Sequence, residues 1–297
     1  MRLARNMRPA NRSTFEARLR RGSHLLMRNR RLLLRKASVA LRRTLLGPSC
    51  VRGTIKMGNV IFPFQRDLDP RMEMLYYGAY EPEVAVLLEK FLFRGMTFID
   101  VGANIGYFSA LALDRVGKSG SIHAFEPVPC LCNRLKELAR LNPTYRMECN
   151  NFALGDTYEQ RALDMCGHAN IGWNTLVPGL MPPSELKESR TVCVRRLDDY
   201  LLEENIRDVS LMKIDVEGYE FPVLRGTQKF FEITECRPRI ICEIAPEAYG
   251  RLGTSLTSLK VFMQKLGYAS YDGTTLKRLD VSTLSETTNV LFSPVVS

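Results

Sequence analysis

Short apolar segments alternate with amphipathic helical segments along most of this chain. The apolar positions predict seven strands, at 97–101, 121–125, 146–154, 210–215, 239–244, 268–271 and 289–292. Apolar residues also recur at helical spacing over 81–94, 106–116, 130–141, 197–205, 220–231 and 256–266. Strands that alternate with helices are typical of a mainly parallel sheet. The pattern therefore predicts an α/β fold.

Two stretches depart from this alternation and set the predicted domain boundaries. Residues 1–50 form a basic extension, residues 51–95 an N-terminal cap that ends in an amphipathic helix, and residues 96–297 the main domain. Within the main domain, residues 155–190 are rich in Gly, Pro and Asn. A connection of that length is unusual in a compact domain, so we expect either a lid over a site or a small added hairpin.

The net charge of +10 belongs to the N-terminal extension. Residues 1–43 hold fourteen basic side chains and one acid, which leaves 28 basic and 31 acidic residues, a charge of −3, in the rest of the chain. The extension would bind an anionic membrane surface or RNA, or act as an organellar transit peptide, and its many leucines favour the membrane surface. No uncharged apolar run reaches roughly 18 residues, which favours a cytoplasmic protein, peripheral on a membrane at most.

Cysteine and histidine spacing argues against a metal site. The sequence has eight cysteines but no Cys-x-x-Cys, and its three histidines supply no nearby ligand pair. We therefore predict no metal ion and reduced thiols.

The strongest chemical signal is a strand that runs into a glycine-bearing turn and then a helix, FIDVGANIGYF at 98–108. Gly102 lets the backbone approach a ligand, and Gly106 lets the helix lie close to the strand. Asp100 adds a carboxylate near the carboxyl end of the strand, where open α/β sheets bind their ligands. The alternative is a glycine turn without a ligand.

Glu126 follows the next strand, twenty residues after Gly106, where a carboxylate can accept both hydroxyls of a ribose. Dinucleotide sites also combine a glycine turn with such an acid. Here, however, the turn is Gly-x-Asn-x-Gly rather than Gly-x-Gly-x-x-Gly, and Asp100 would repel a pyrophosphate. The negative charge of Asp100 suits a ligand that carries an ammonium and a sulfonium, which favours S-adenosylmethionine.

A second group of candidate residues follows later strands. KIDVEG at 213–218 places Asp215 at the end of a buried strand and Glu217 just beyond it, and Glu243 interrupts the apolar strand IICEI at 240–244. If the ligand is S-adenosylmethionine, methyl transfer to a hydroxyl would need a group that removes the proton of that hydroxyl. The predicted catalytic residues are those that could act as that base, or pair with it: Asp215, Glu217, Glu243, Lys213 and His168.

These segments, with NNFALGD at 150–156 and RRLDDYL at 195–201, resemble the FkbM-type S-adenosylmethionine-dependent methyltransferases over residues 80–292. The resemblance implies a class I methyltransferase fold, a Rossmann-like, doubly wound sheet of seven strands with an antiparallel final strand. It also implies a cofactor site. Its expected residues are Asp100, Gly102, Asn104 and Gly106 at the methionine part, Glu126 at the ribose, Asn151 and Ala153 beside the adenine, and Glu81 near the methionine end.

The function expected from the sequence is therefore O-methylation of a hydroxyl on a small molecule, such as a sugar or secondary metabolite. The insertion over 155–190, which holds the only tryptophan, Trp173, is expected to set the choice of acceptor. Two alternatives stay open. One is an RNA-modifying methyltransferase that uses the basic arm, and the other is a nucleoside-binding module without turnover.

Overall fold

The computed structural model describes residues 52–65, 80–167, 172–234 and 236–295. The basic extension and His168 lie outside these residues, so the predictions made for them stay predictions. The chain forms two compact units, residues 1–55 with 64–83, and residues 56–63 with 84–297. Within the described part, no helix is both long and apolar enough to cross a membrane.

A hairpin and a helix precede the main sheet. Strands β1 (Arg52–Met57) and β2 (Val60–Gln65) form a two-stranded sheet, which the sequence pattern did not predict. Helix α1 covers Pro82–Phe91, shorter than the predicted 81–94. Its buried residues Val84, Leu87 and Leu88 lie three and four positions apart, which is the spacing of one helix face.

The main sheet has the seven predicted strands: β3 (Thr97–Val101), β4 (Ser121–Phe125), β5 (Arg146–Asn150), β9 (Leu211–Ile214), β10 (Arg239–Ile244), β11 (Tyr268–Asp272) and β12 (Thr288–Pro294). Their order is β11-β12-β10-β9-β3-β4-β5. Strand β12 pairs antiparallel with both β10 and β11, whereas β10, β9, β3, β4 and β5 pair in parallel. The predicted mostly parallel seven-stranded sheet, with an antiparallel final strand, is confirmed.

Seven helices lie between or after these strands in the described main-sheet segment, three of them long: α2 (Tyr107–Val116), α3 (Pro129–Leu141), α4 (Leu197–Glu203), α5 (Glu220–Arg225), α6 (Gln228–Ile233), α7 (Pro246–Arg251) and α8 (Leu256–Lys265). The prediction of one helix over 220–231 is wrong. The carbonyl of Gly226 accepts from the amide of Asp198, and the carboxylate of Asp198 accepts from the amide of Phe230, 2.9 Å away. Asp198 thus ends one helix and starts the next.

The interrupted stretch folds as an added hairpin. Strands β7 (Glu159–Cys166) and β8 (Leu186–Arg195) pair antiparallel, and β8 also pairs with the short strand β6 (Ala153–Leu154). The predicted single strand over 146–154 is therefore two strands in two sheets. Since β6 follows β5 after only two residues, the hairpin begins beside the carboxyl edge of the main sheet.

Candidate functional site

The strand register places the predicted site residues along one edge of the main sheet. Asp100 in β3 pairs with Ala124 in β4 and with Lys213 in β9, and Lys213 pairs with Ile241 in β10. Side chains two positions apart on a strand point to the same face. Two residues further along the four chain segments, at or just past the ends of the strands, are Gly102, Glu126, Asp215 and Glu243.

The glycine turn after β3 has a backbone that a side chain would not permit. Gly102 has φ +76°, and a Cβ placed on it would lie 1.9 Å from the carbonyl oxygen of Asp215. Gly106 has φ +85°, and a Cβ there would lie 2.8 Å from the side chain of Leu135. Asn104 also has a positive φ, of 53°. The turn therefore depends on glycine at both ends.

Glu126 joins this turn to the start of helix α3. Its Oε2 accepts from the amide of Asn104 and its Oε1 from the amide of Val128, both at 2.9 Å. The residue is only 5% exposed, and burial raises its pKa to about 7 even though both amides favour the charged form. Each carboxylate oxygen still has one lone pair for a ligand.

Asp100 is fully buried behind the turn. Its Oδ2 accepts from the hydroxyl of Ser109 at 2.6 Å, and its Oδ1 has no hydrogen-bond partner among the described residues. Burial raises the pKa of Asp100 above its ordinary value, although the ammonium of Lys213 and the Ser109 hydroxyl act in the opposite direction. Asp100 thus lies beneath the site and does not border the cleft described next.

A cleft opens at this edge between the main sheet and the added hairpin. Its walls include six of the predicted site residues: Gly102, Asn104, Glu126, Ala153, Asp215 and Glu217. Gly106 and Asn151 lie outside the lining. Asn151 instead donates to the carbonyls of Glu126 and Pro127, at 2.9 and 3.0 Å, and so holds the backbone that carries the Glu126 carboxylate.

The carboxylates of Asp215, Glu217 and Glu243 converge at this edge. One oxygen from each lies within 4.8 Å of the others, which is close enough to share one proton or one divalent cation. Lys213 is buried beside them, with Nζ 2.8 Å from Oδ2 of Asp215 and 4.9 Å from the ring centroid of Phe108. The sequence predicted each of these residues separately as a catalytic candidate, and the structure brings their side chains together.

Other residues of the cleft were missed. Leu163, Asn174 and Leu176 of the inserted stretch line it, as does Phe152. The insertion was expected to influence the site, but a stretch without regular periodicity does not reveal which of its side chains point inward. Glu220, in the first turn of α5, is also absent from the predicted site; it is almost fully buried, and its Oε1 accepts from the amide of Gly218 at 2.8 Å.

The site roles predicted for Glu81 and His168 stay predictions. Glu81 belongs to the unit formed by residues 1–55 and 64–83 and has φ +39°, so its role in cofactor binding stays a prediction. His168 lies outside the described residues. Trp173 is partly buried.

Comparison with known proteins identifies a family. The model of the methyltransferase FkbM domain matches residues 100–270, more than half of the chain. A curated relative, "Methyltransferase 1" from Beauveria bassiana (strain ARSEF 2860), is 32% identical over 145 residues, covering 43% of this chain and 57% of the relative. The chain therefore spans little more than half the length of that relative.

Two solved structures are similar to parts of this chain. Methyltransferase FkbM from Methylobacillus flagellatus KT has a TM-score of 0.41 and 16% identity, covering 75% of this chain and 53% of that one. A SAM-dependent O-methyltransferase from Thermotoga maritima has a TM-score of 0.40 and 12% identity, covering 73% and 66%. Because both TM-scores are low, the assignment depends on the sequence match. That match spans more than half of the chain, and the protein belongs to the FkbM methyltransferase family.

Proposed function

We propose that this chain is an S-adenosylmethionine-dependent O-methyltransferase that acts on a hydroxyl of a small molecule. The observation that carries the proposal is the convergence of three carboxylates, those of Asp215, Glu217 and Glu243. Asp215 and Glu217 line the same cleft as Glu126 and the glycine turn, and Glu243 lies next to them outside its lining. One part of the cleft thus has the groups for a nucleoside, and the adjoining part has groups that accept a proton.

The residues of the first part fit the cofactor. Gly102 packs against the Asp215 carbonyl too closely for any side chain and lines the cleft with its backbone, Glu126 presents two carboxylate oxygens, and Asp100 is buried behind the turn. Ala153 and Phe152 supply apolar surface for a base ring. S-adenosylmethionine, when bound, supplies a methyl group on a sulfonium that a nucleophile can displace.

The acidic group would hold and accept the proton of the acceptor hydroxyl. A positioned base contributes roughly 10² to 10⁴-fold to such a reaction, and alignment of the hydroxyl contributes further. Lys213 forms an ion pair with Asp215 at 2.8 Å, and Asp215 orients the hydroxyl by accepting its hydrogen bond. Glu217 and Glu243 each bring a carboxylate oxygen within 4.8 Å of one of Asp215, and they are the candidate bases.

An RNA acceptor is less well supported. RNA-binding surfaces carry basic side chains that neutralise phosphates, whereas the groups converging here are carboxylates, and residues 44–297 have a charge of −3. The basic residues 1–43 lie outside the described residues. We keep the proposal that they attach the protein to an anionic membrane surface, which sedimentation with phosphatidylserine vesicles would test by comparing the full chain with a form lacking residues 1–43.

The test of the proposed function combines binding with product chemistry. Calorimetric titration with S-adenosylhomocysteine should show one site, and E126A should abolish it. Incubation of the protein with a cell extract and S-adenosylmethionine carrying a ¹³C-methyl group should then label a small molecule, and the ¹³C shift of the methyl separates an ether from an amine.

D215N is the matched variant, because it is nearly isosteric and removes the charge next to Lys213 while leaving Glu126 in place. It should retain S-adenosylhomocysteine binding and lose labelling. No binding to the folded wild-type protein, or a label found on nitrogen or in RNA, would refute the proposal.

A further inference from the structure

Thr175 connects the inserted stretch to the turn that carries Glu217. Its amide and carbonyl both pair with the backbone of Asp164 in β7, at 3.0 and 2.9 Å, which fixes the residue on the hairpin. Its hydroxyl donates to the carbonyl oxygen of Glu217 at 2.7 Å and accepts from the amide of Val177 at 3.1 Å. At 1% exposure, Thr175 is thus a fully hydrogen-bonded residue between two parts of the fold.

The same peptide unit is held at its other end. The amide of Gly218, which belongs to the Glu217–Gly218 peptide, donates to Oε1 of the buried Glu220 at 2.8 Å. Thr175 therefore holds the oxygen of this peptide and Glu220 holds its N–H. Because a peptide is planar, two hydrogen bonds on opposite edges fix its orientation. We call this arrangement the peptide clamp.

The clamp acts where the backbone is unusual. Glu217 has φ +51° and Gly218 has φ +103°, and a Cβ on Gly218 would lie 2.6 Å from the Cβ of Ala248. A residue other than glycine in this region is strained and persists only where its surroundings enforce it. The orientation of the following peptide decides where the Glu217 side chain emerges, and here it emerges toward Asp215 and Glu243.

We propose that Thr175 is a positioning residue for methyl transfer, and that its hydroxyl holds Glu217 in the conformation that places its carboxylate beside Asp215 and Glu243. This inference rests on the proposed function for its catalytic consequence, while the clamp itself is a separate structural claim. It also gives the insertion a second role, because the same stretch lines the cleft through Asn174 and Leu176 and secures the acidic turn through Thr175.

The experiment compares T175V, which keeps the shape but removes the hydroxyl, with T175S, which keeps the hydroxyl. T234V is the control, since Thr234 also donates its hydroxyl to a backbone carbonyl, that of Cys236, but near the opposite edge of the sheet. Glu217–Gly218 is the only Glu-Gly pair in the sequence. Protein labelled with ¹³C-carbonyl glutamate and ¹⁵N-glycine therefore gives one coupled signal, which reports on both ends of the clamped peptide.

We expect the signal to shift in T175V and to stay near its wild-type position in T175S and T234V. S-adenosylhomocysteine binding should be unchanged in all three, and methyl labelling should fall by about 10²-fold in T175V alone, as expected for a misplaced group. An unshifted signal in T175V, retained labelling, or equal loss in T175S would overturn the inference.

Two further outcomes are decisive. If the wild-type protein labels nothing, the proposed function fails, while the position of the coupled signal still decides whether the clamp exists. If T175V does not fold, E220L and E220Q make the same comparison at the N–H end of the peptide, since only E220Q keeps the acceptor. Equal signals in these two variants would refute the clamp.

Discussion

Lys213 in β9 forms an ion pair with Asp215, just beyond the end of the strand, with Nζ 2.8 Å from Oδ2; the lysine side chain is 4% exposed and that of Asp215 18%. Lys213 also lies beside Asp100 across the β3–β9 pairing. One ammonium thus lies beside two carboxylates, and it lowers the pKa of Asp100, which burial raises. This relationship explains how a strand can bring a lysine into the core of the domain.

Replacement of this lysine should be strongly destabilising. K213M leaves Asp100 and Asp215 without their shared cation, and loss of one partner of a buried ion pair costs roughly 3–5 kcal/mol. We expect the free energy of unfolding, measured with urea, to fall by about that amount. K229M, which changes an exposed lysine on α6, should alter it by less than about 0.5 kcal/mol. A loss below about 1 kcal/mol for K213M would show that the pair contributes little.

The glycine turn gives a second prediction. G102A places a methyl group against the carbonyl of Asp215 and forces alanine to φ +76°, so we expect a loss of at least about 1–3 kcal/mol in stability and at least about tenfold weaker S-adenosylhomocysteine binding. G250A is the matched control, because Gly250 has open space around it and lies in helix α7. Equal calorimetric affinity for G102A and wild type would contradict this interpretation of the turn.

Glu126 should make cofactor binding depend on pH. Its pKa is raised to about 7 by burial, and the ionised form is the better acceptor for ribose hydroxyls. At pH 6 only about one molecule in ten would be ionised, so the affinity for S-adenosylhomocysteine should be roughly tenfold lower than at pH 8. E126Q should bind more weakly than wild type at pH 8 and lose the pH dependence. A wild-type affinity that is constant over this range would refute the assignment.

Glu220 should make the fold less stable as pH rises. Burial raises its pKa from 4.5 to about 8, with the charge of Asp215 acting in the same direction. Between these values the native state keeps a proton that the unfolded chain has lost. The stability from this group is therefore complete below pH 4.5 and declines up to pH 8, by about 1.4 kcal/mol per pH unit.

E220Q should remove that slope. Urea unfolding of wild type and E220Q at pH 5.5, 6.5 and 7.5 measures the difference directly, and subtraction cancels groups common to both proteins. If the free energy of unfolding changed equally with pH in the two proteins, Glu220 would be ionised in the native state at all three pH values.

The sequence predicted the main sheet well because its strands are short apolar runs between turn residues, a pattern that is visible without the structure. It also placed Glu126, Gly102 and Asn104 at the cleft, because a turn that needs a positive φ, here +76° at Gly102, is visible in the sequence as a glycine. It did not predict the break near Gly226, which depends on contacts with Asp198, a residue 28 positions earlier in the chain. Such a contact leaves no signal in local periodicity.

The acidic group shows a similar limit. Asp215 follows β9 whereas Glu243 lies in β10, and their meeting depends on β9 pairing directly with β10, which the pattern along the sequence does not specify. Thr175 carried no signal at all, because a threonine in an irregular stretch has the same local appearance whether or not its hydroxyl reaches another segment. Strand order and long-range hydrogen bonds are properties of the assembled fold.

The position of β12 has a consequence for how the protein is made. This strand, residues 288–294, lies inside the sheet between β10 and β11, so β11 has no neighbour in the main sheet until β12 is present. During synthesis, residues 288–294 must leave the ribosome before β12 can pair with β10 and β11. Until then the outer edge of β10 stays unpaired, and a nascent chain stalled before residue 288 would be a natural client for chaperones that recognise exposed strands.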